Sequence, residues 1–404
     1  MNRTHVTLSV VLLVVTRVLP ATSVAADPLR PASVDTLVKG NNAFAVNLYR
    51  ELSASEGNLF FSPYGISSAL GMTFFGAREN TAKEMKGALN FELEQTQLHA
   101  AFKKLNQELV ASARKAAQKL TIANGLCLTG GDVSEEFKAL LNGNYDAEVF
   151  AGGLDKINGW VKHKTEGKIE KILESLDPDS VCVLLNAIYF KGTWESQFEK
   201  GSTRDAPFKV SSGKHVTVPL MYQKGGFRIL EMWDFQAASI PYKGKQMSMV
   251  ILLPRDEEGL TNLEKQLTDG VSMQNWLVQL DKAPVQEIEI YVPTFKLETD
   301  YNLVPSCKAL GMTDAFVREK ADFTGMGWQN GQLWISQIKH KAFVEVNEEG
   351  TEAAAATAVG AIAISAELEL HPVFRADHPF LFIIRDNATG SILFMGRMVD
   401  PRSK

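Results

Sequence analysis

The chain has 404 residues, with 42 Lys plus Arg against 47 Asp plus Glu, a net charge of −5, 45% apolar residues and 22% charged residues. That balance is too apolar for a disordered chain and too acidic for a dedicated nucleic-acid binder, whose footprint is a basic excess. Its three cysteines, Cys127, Cys182 and Cys307, lie far apart, which excludes a zinc knuckle or a redox CxxC pair.

Residues 1–26 read as a secretory leader. Arg3 supplies the positive start, Val6 to Val15 the apolar run, and Ala21 to Ala26 the small residues before a cleavage site. The apolar run is about half of the ~20 residues that a membrane span requires. The expectation is a secreted, extracellular protein whose mature part is 27–404.

Val34 to Leu52 carries apolar residues at helical spacing (Leu37, Val38, Phe44, Leu48, Leu52). Ser62-Pro63 opens a second helix, because Ser caps exposed amides and Pro lacks an N–H that would be orphaned there. Thr81–Leu89, Leu98–Val110 and Glu135–Leu141 continue the helical pattern. After about residue 180 the runs turn β-rich: Val181–Phe190, Met247–Leu253, Glu287–Leu297, Leu333–Ile338, Lys341–Val346, Phe380–Ile384 and Ile392–Val399. Helices first and strands later, with no repeat and no long linker, predict one α+β domain.

Enzyme signatures are missing. There is no GxSxG, no HExxH and no Walker A loop. SxxK occurs at Ser112–Lys115, Ser211–Lys214 and Ser336–Lys339 without the motifs that accompany it in enzymes. No His, Cys, Asp or Glu cluster has metal-ligand spacing, so neither a metal nor a cofactor is expected. Cys127 and Cys182 sit in apolar runs and read as small buried hydrophobes. His163 lies on a solvated helix face. His340, between two strand-like runs, reads as a buried hydrogen-bonded residue rather than a general base. Asn387-Ala388-Thr389 is a glycosylation sequon in an exposed turn.

The most unusual segment is Glu348 to Ser365. As a strand it puts Thr351, Ala353, Ala355, Thr357, Val359, Ala361 and Ala363 on one face, all small or apolar and uncharged. Glu352, Ala354, Ala356, Ala358 and Gly360 fall on the other. Such a strand can pass between two others without burying charge, yet Ala and Gly give it little reason to form alone. A plain helix or a flexible linker fits the composition equally.

Six motifs in order resemble the serpin family of serine protease inhibitors over residues 35–401. They are Asn58-Leu59-Phe60-Phe61-Ser62-Pro63, Asn186 to Trp194, Val292-Pro293-Thr294-Phe295, Val346 to Ala355, Asp377 to Phe382, and Phe394-Met395-Gly396-Arg397. The resemblance implies a single domain of three β-sheets, several helices and an exposed reactive-centre loop at about residues 348–371. It implies a monomeric suicide substrate: the target protease attacks the loop, an acyl-enzyme forms, and the cut loop inserts into the central sheet. The alternative is a non-inhibitory carrier or chaperone on the same fold.

Carried over residue by residue, the hinge is Glu348, Glu349, Gly350, Thr351, Glu352, Ala353, Ala354, Ala355 and Ala356. The reactive bond is Ile364–Ser365, to within one residue, with Ala361, Ile362 and Ala363 in the preceding subsites. No Lys or Arg lies between Gly350 and His371, so the loop suits an elastase-like or chymotrypsin-like pocket rather than one with a buried acid. Ser62, Asn186 and His340 match a cluster where the sheet opens, and Trp194 matches the top of that sheet. Gly65 departs from relatives that carry a second Ser there. Lys103, Lys104, Arg114, Lys115 and Lys119 are loosely comparable with a glycosaminoglycan-binding helix, but Glu108 interrupts them and a solvated face is the favoured reading.

Overall fold

The computed structural model describes residues 31–351 and 371–402. The described residues form nine α-helices: α1 (Ala32–Leu52), α2 (Pro63–Gly76), α3 (Glu79–Ala88), α4 (Gln95–Lys115), α5 (Glu135–Tyr145), α6 (Leu154–Lys164), α7 (Leu260–Gln266), α8 (Gly270–Lys282) and α9 (Val304–Ala309). The strands are β1 (Leu59–Phe61), β2 (Lys119–Leu128), β3 (Glu148–Ala151), β4 (Cys182–Thr193), β5 (Arg204–Ser211), β6 (Lys214–Glu231), β7 (Phe235–Pro241), β8 (Met247–Pro254), β9 (Val285–Pro293), β10 (Phe295–Asn302), β11 (Ile335–Asn347), β12 (Gly350–Thr351), β13 (Val373–Arg375), β14 (Phe380–Asp386) and β15 (Ile392–Met398).

The start of α2 follows its local chemistry. Ser62 Oγ accepts from the Gly65 amide at 3.0 Å, and Pro63 takes the first helical position. Every residue of α2 except Phe75 is buried, which is what an all-round apolar helix requires. It lies in the main core, which joins both sheets. There Phe60 stacks on Phe382 and Phe394, with ring centroids at 5.8 and 5.3 Å.

Nine strands form one hydrogen-bonded network and six form another. The three expected sheets appear as two networks because β6 is 18 residues long and belongs to both ends of the larger one. Its first half pairs with β5, its last residues with β7, and β9 spans the join across Gly225-Gly226. The six-stranded sheet runs β10-β11-β12-β4-β2-β3, with β11 and β4 also paired directly. A second, smaller core covers its outer face, where Ile157 and Val161 of α6 and Ile169, Ile172 and Leu173 beyond it pack on Ala123, Val183, Leu185 and Ala187.

Several boundaries differ from the sequence reading. The run Glu287–Leu297 is two strands in different sheets: the Thr294 amide donates to Pro219 O at 3.0 Å as the chain crosses between them. The two runs flanking His340 are one 13-residue strand, since His340 turns inward while Lys339 and Lys341 pair outward with Asp300 and Glu298. Helices α7, α8 and α9 interrupt the β-rich part, and β1, β2 and β3 precede it.

Phe60→Ala removes the ring at the centre of this stack. It should cost about 3–5 kcal/mol, read as a lower guanidinium midpoint with secondary structure otherwise retained.

Candidate functional site

Two features meet on the six-stranded sheet, a seam and a wedge. The seam is the parallel pairing of β4 with β11, from Cys182 opposite Ile335 to Tyr189 opposite Phe343. Beneath its middle, the Ser62 amide donates to His340 Nε2 at 3.0 Å. That leaves Nδ1 to carry the ring proton and donate to Asn186 Oδ1 at 2.7 Å. Asn186 Nδ2 donates to Asn124 Oδ1 at 2.7 Å, and Asn124 Nδ2 to Ser68 Oγ at 3.0 Å. Ser62 Oγ donates to Leu393 O at 2.6 Å. The chain thus ties α2, β2, β4, β11 and β15 with its polar groups satisfied and no net charge. Burial holds the His340 pKa down to about 3, so the ring is neutral.

Ser62, Asn186 and His340 are joined by hydrogen bonds, and Asn124 and Ser68 extend the cluster. Asn124 was legible as the lone amide inside the apolar run of β2. Gly65 also has a geometric role: a Cβ there would lie 2.7 Å from Asn186 Oδ1 and 3.1 Å from Ser62 Oγ. A serine at 65 fits only if Asn186 moves.

Trp194 stands apart from this cluster, eight residues further along the chain than Asn186 and about 26 Å away if extended. It serves the wedge. There Gly350 and Thr351 sit between β11 and β4, Thr351 opposite both Val346 and Gly192. Asn347 Oδ1 accepts from the Glu349 and Gly350 amides at 3.1 and 3.3 Å, which closes the turn. Gly350 has φ +153°, and a Cβ there would strike the Gly192 carbonyl, so only glycine fits.

The Trp194 indole donates to Asn347 O at 2.9 Å and its amide to Glu349 O at 3.0 Å. Its ring stacks on Tyr242 at 4.6 Å, and the Tyr242 hydroxyl meets Thr351 Oγ1 at 2.7 Å. Burial raises the Tyr242 phenol, so it stays protonated. The Thr203 hydroxyl donates to Glu348 Oε1 at 2.7 Å. Lys200 Nζ lies 2.6 Å from Glu349 Oε1, and this bond raises the lysine pKa. Lys200, Thr203 and Tyr242 carried no signal in the sequence, since each is common in its local context.

Glu352 to Ala356 and Ala361 to Ser365 lie outside the described residues. The three thiols are buried. Burial pushes Cys127 up to about 11 and Cys307 up to about 12, with Cys182 raised further, so all three are unreactive. His163 is exposed on α6. On α4, Lys104 Nζ lies 3.5 Å from Glu108 Oε1, and 11 residues, about 16 Å of helix, separate Lys104 from Lys115. Asn387 is exposed as its sequon suggests. Both of its amide atoms are already engaged: Nδ2 donates to Lys245 O at 3.0 Å, and Oδ1 accepts from Ser248 Oγ at 2.5 Å.

Comparison with known proteins follows the same lines. The family model described as "Serpin (serine protease inhibitor)" matches residues 39–401. The leukocyte elastase inhibitor of Equus caballus is 41% identical over 390 residues, 91% of this chain and 100% of that protein. Serpin B6 of Pongo abelii is 39% identical over 386 residues, again 91% of this chain and 100% of the relative. Among solved structures, native tengpin, a thermophilic serpin, superposes with TM-score 0.81 at 29% identity, covering 90% of this chain and 94% of its own. Human thyroxine-binding globulin superposes with TM-score 0.83 at 29% identity, covering 92% and 100%. The expectation of a secreted glycoprotein gains no support here. The expected leader at residues 1–26 lies outside both the described residues and the family match, and the relatives are matched completely by 91% of this chain.

Acid should loosen this structure. His99, bonded to Tyr145, is also buried and neutral, with its pKa lowered to about 4. An unfolded chain takes up a proton at each histidine near pH 6.5, while the folded chain does not until about pH 4 for His99 and about pH 3 for His340. Stability is therefore full above the unfolded pKa and falls as pH drops towards the folded ones. Calorimetry from pH 7.5 to 4.5, about the window of those pKa values, should show a falling melting temperature, with a shallower slope for His340→Gln.

Proposed function

Because the chain belongs to the serpin family, we propose that it is a suicide-substrate inhibitor of an elastase-like or chymotrypsin-like serine protease, and not an enzyme. The observation that carries this reading is the wedge. Gly350 and Thr351 are already paired between β11 and β4, at the upper end of a seam above the neutral Ser62–His340–Asn186 cluster. Residues that follow Thr351 can add rungs in the same direction, and those on its face are small or apolar through Ala363.

In the proposed reaction the protease serine Oγ attacks the Ile364 carbonyl. The Ile364–Ser365 peptide bond breaks, an ester joins Ile364 to the protease, and Ser365 leaves with a new amino terminus. Insertion must then outrun hydrolysis of that ester. As it proceeds, β4–β11 hydrogen bonds are exchanged for pairs with the incoming strand. The Ser62–His340–Asn186 cluster has to yield for this to happen. Each neutral bond in it contributes about 1 kcal/mol, a modest barrier against a full strand of new pairing. Apolar Ile364 suits a hydrophobic specificity pocket, and the horse relative's name specifies elastase as its target. Export rests on the leader sequence alone.

Incubation with pancreatic elastase and with chymotrypsin should give an SDS-resistant adduct with one of them and a released fragment that begins at Ser365. Thr351→Arg would bury a charge in the wedge and should convert the protein into a substrate, cleaved at the same bond without adduct. Cleavage of the unmodified protein without adduct would sink the inhibitory reading in favour of a carrier, the role that the name of thyroxine-binding globulin states for that protein.

A further inference from the structure

A cleft of about 530 Å³ opens where the two sheets meet. Val218 and Pro219 of β6, Phe295 of β10 and Pro401 supply apolar lining. Its polar wall is the end of β11 and the residues that lead to the wedge, Glu345 to Glu348. That volume lies in the range of small-ligand sites.

The charge pattern around it is specific. Along β10 and β11, side chains pair diagonally: Lys339 with Asp300 at 2.9 Å, then Lys341 with Glu298 at 2.8 Å. The next diagonal joins Phe343 to Lys296, whose ammonium lies 5.1 Å from the ring centroid. Lys296 is the register partner of Glu345, yet it makes this cation–π contact instead. Glu345 is therefore left at the cleft with no ion pair or hydrogen bond among the described residues. Glu348, the other carboxylate, accepts from the Thr203 hydroxyl and lies within electrostatic reach of Lys200. Arg402, the second cation lining the cleft, is committed to Asp400 at 2.9 Å. The lining thus holds two carboxylates and two cations, both cations are already engaged, and with Lys200 acting on Glu348 from outside the lining, Glu345 is the carboxylate left without a cation.

We propose that this cleft binds an amphiphilic cation, a primary ammonium on a short apolar or aromatic body. The ammonium sits between Glu345 and Glu348, and the apolar body covers Phe295, Val218 and Pro401. Such a ligand braces the end of β11 against β6, next to the turn that feeds the wedge. A free amine and the amino terminus of a peptide share this chemistry.

The test is amide-resolved NMR titration of the full chain with phenethylamine, with phenethyl alcohol and 3-phenylpropionate as the neutral and anionic counterparts. A second arm uses the dipeptide amide Phe-Gly-NH2. Saturable shifts confined to Thr294, Phe295, Glu345 to Glu348 and Arg402 are expected with phenethylamine. The alcohol and the acid should bind at least about tenfold more weakly. Glu345→Gln, at a half-buried side chain without partners, should fold normally and weaken the amine by about fivefold or more. Tighter binding of the dipeptide than of the amine would support the site and assign it to peptide termini. Absence of saturation up to about 20 mM, equal binding of the acid, or an unchanged affinity in Glu345→Gln would overturn the proposal. Because the readout is binding and not inhibition, it succeeds or fails independently of the inhibitory reading.

Discussion

The structure turns on the pairing of β4 with β11. It is parallel, at the centre of its sheet, and held by backbone bonds along its length and by one neutral side-chain cluster below. Parallel pairs are slightly weaker per residue than antiparallel ones. No disulfide crosses this one, and no ion pair among the described residues does. A seam built this way can be closed and still open without breaking a buried charge pair, whose loss would cost about 3–5 kcal/mol.

The cluster under the seam is polar enough to set a register and neutral enough to be broken. His340 accepts from one backbone amide and donates to one side chain, so its tautomer and orientation are determined. Asn186 passes the chain on to Asn124. A buried partner left unsatisfied costs about 1–3 kcal/mol, which makes the closed state specific. Any incoming strand must restore those partners or let water reach them.

At the upper end the constraint is steric. Gly350 packs so closely on Gly192 that a side chain is impossible, and Trp194 brackets the turn from outside with two hydrogen bonds. Two rungs of strand are thereby held in place. A strand that extends from existing rungs avoids part of the loop-closure cost of starting afresh. The carboxylates of Glu348 and Glu349 stay at the rim, on Thr203 and Lys200, so no charge enters the sheet.

Local rules made much of this legible from the residues alone. Periodicity located α1, the Ser62-Pro63 cap started α2, and β-rich runs marked β4, β8, β14 and β15, because each depends on contacts within a few positions. The small-residue pattern after Gly350, and Ser62, Asn186 and His340 as a group, were readable through the family motifs. Only the tertiary structure decided that Glu287–Leu297 divides between two sheets, that β6 links two of the three expected sheets, and that Trp194 belongs to the wedge rather than to the His340 cluster. It also supplied Lys200, Thr203 and Tyr242 as partners, and left the Glu345 carboxylate without one among the described residues. The physical reason is that a strand's neighbours are chosen by hydrogen bonds between segments far apart in the chain, and no window of sequence contains both sides of such a bond.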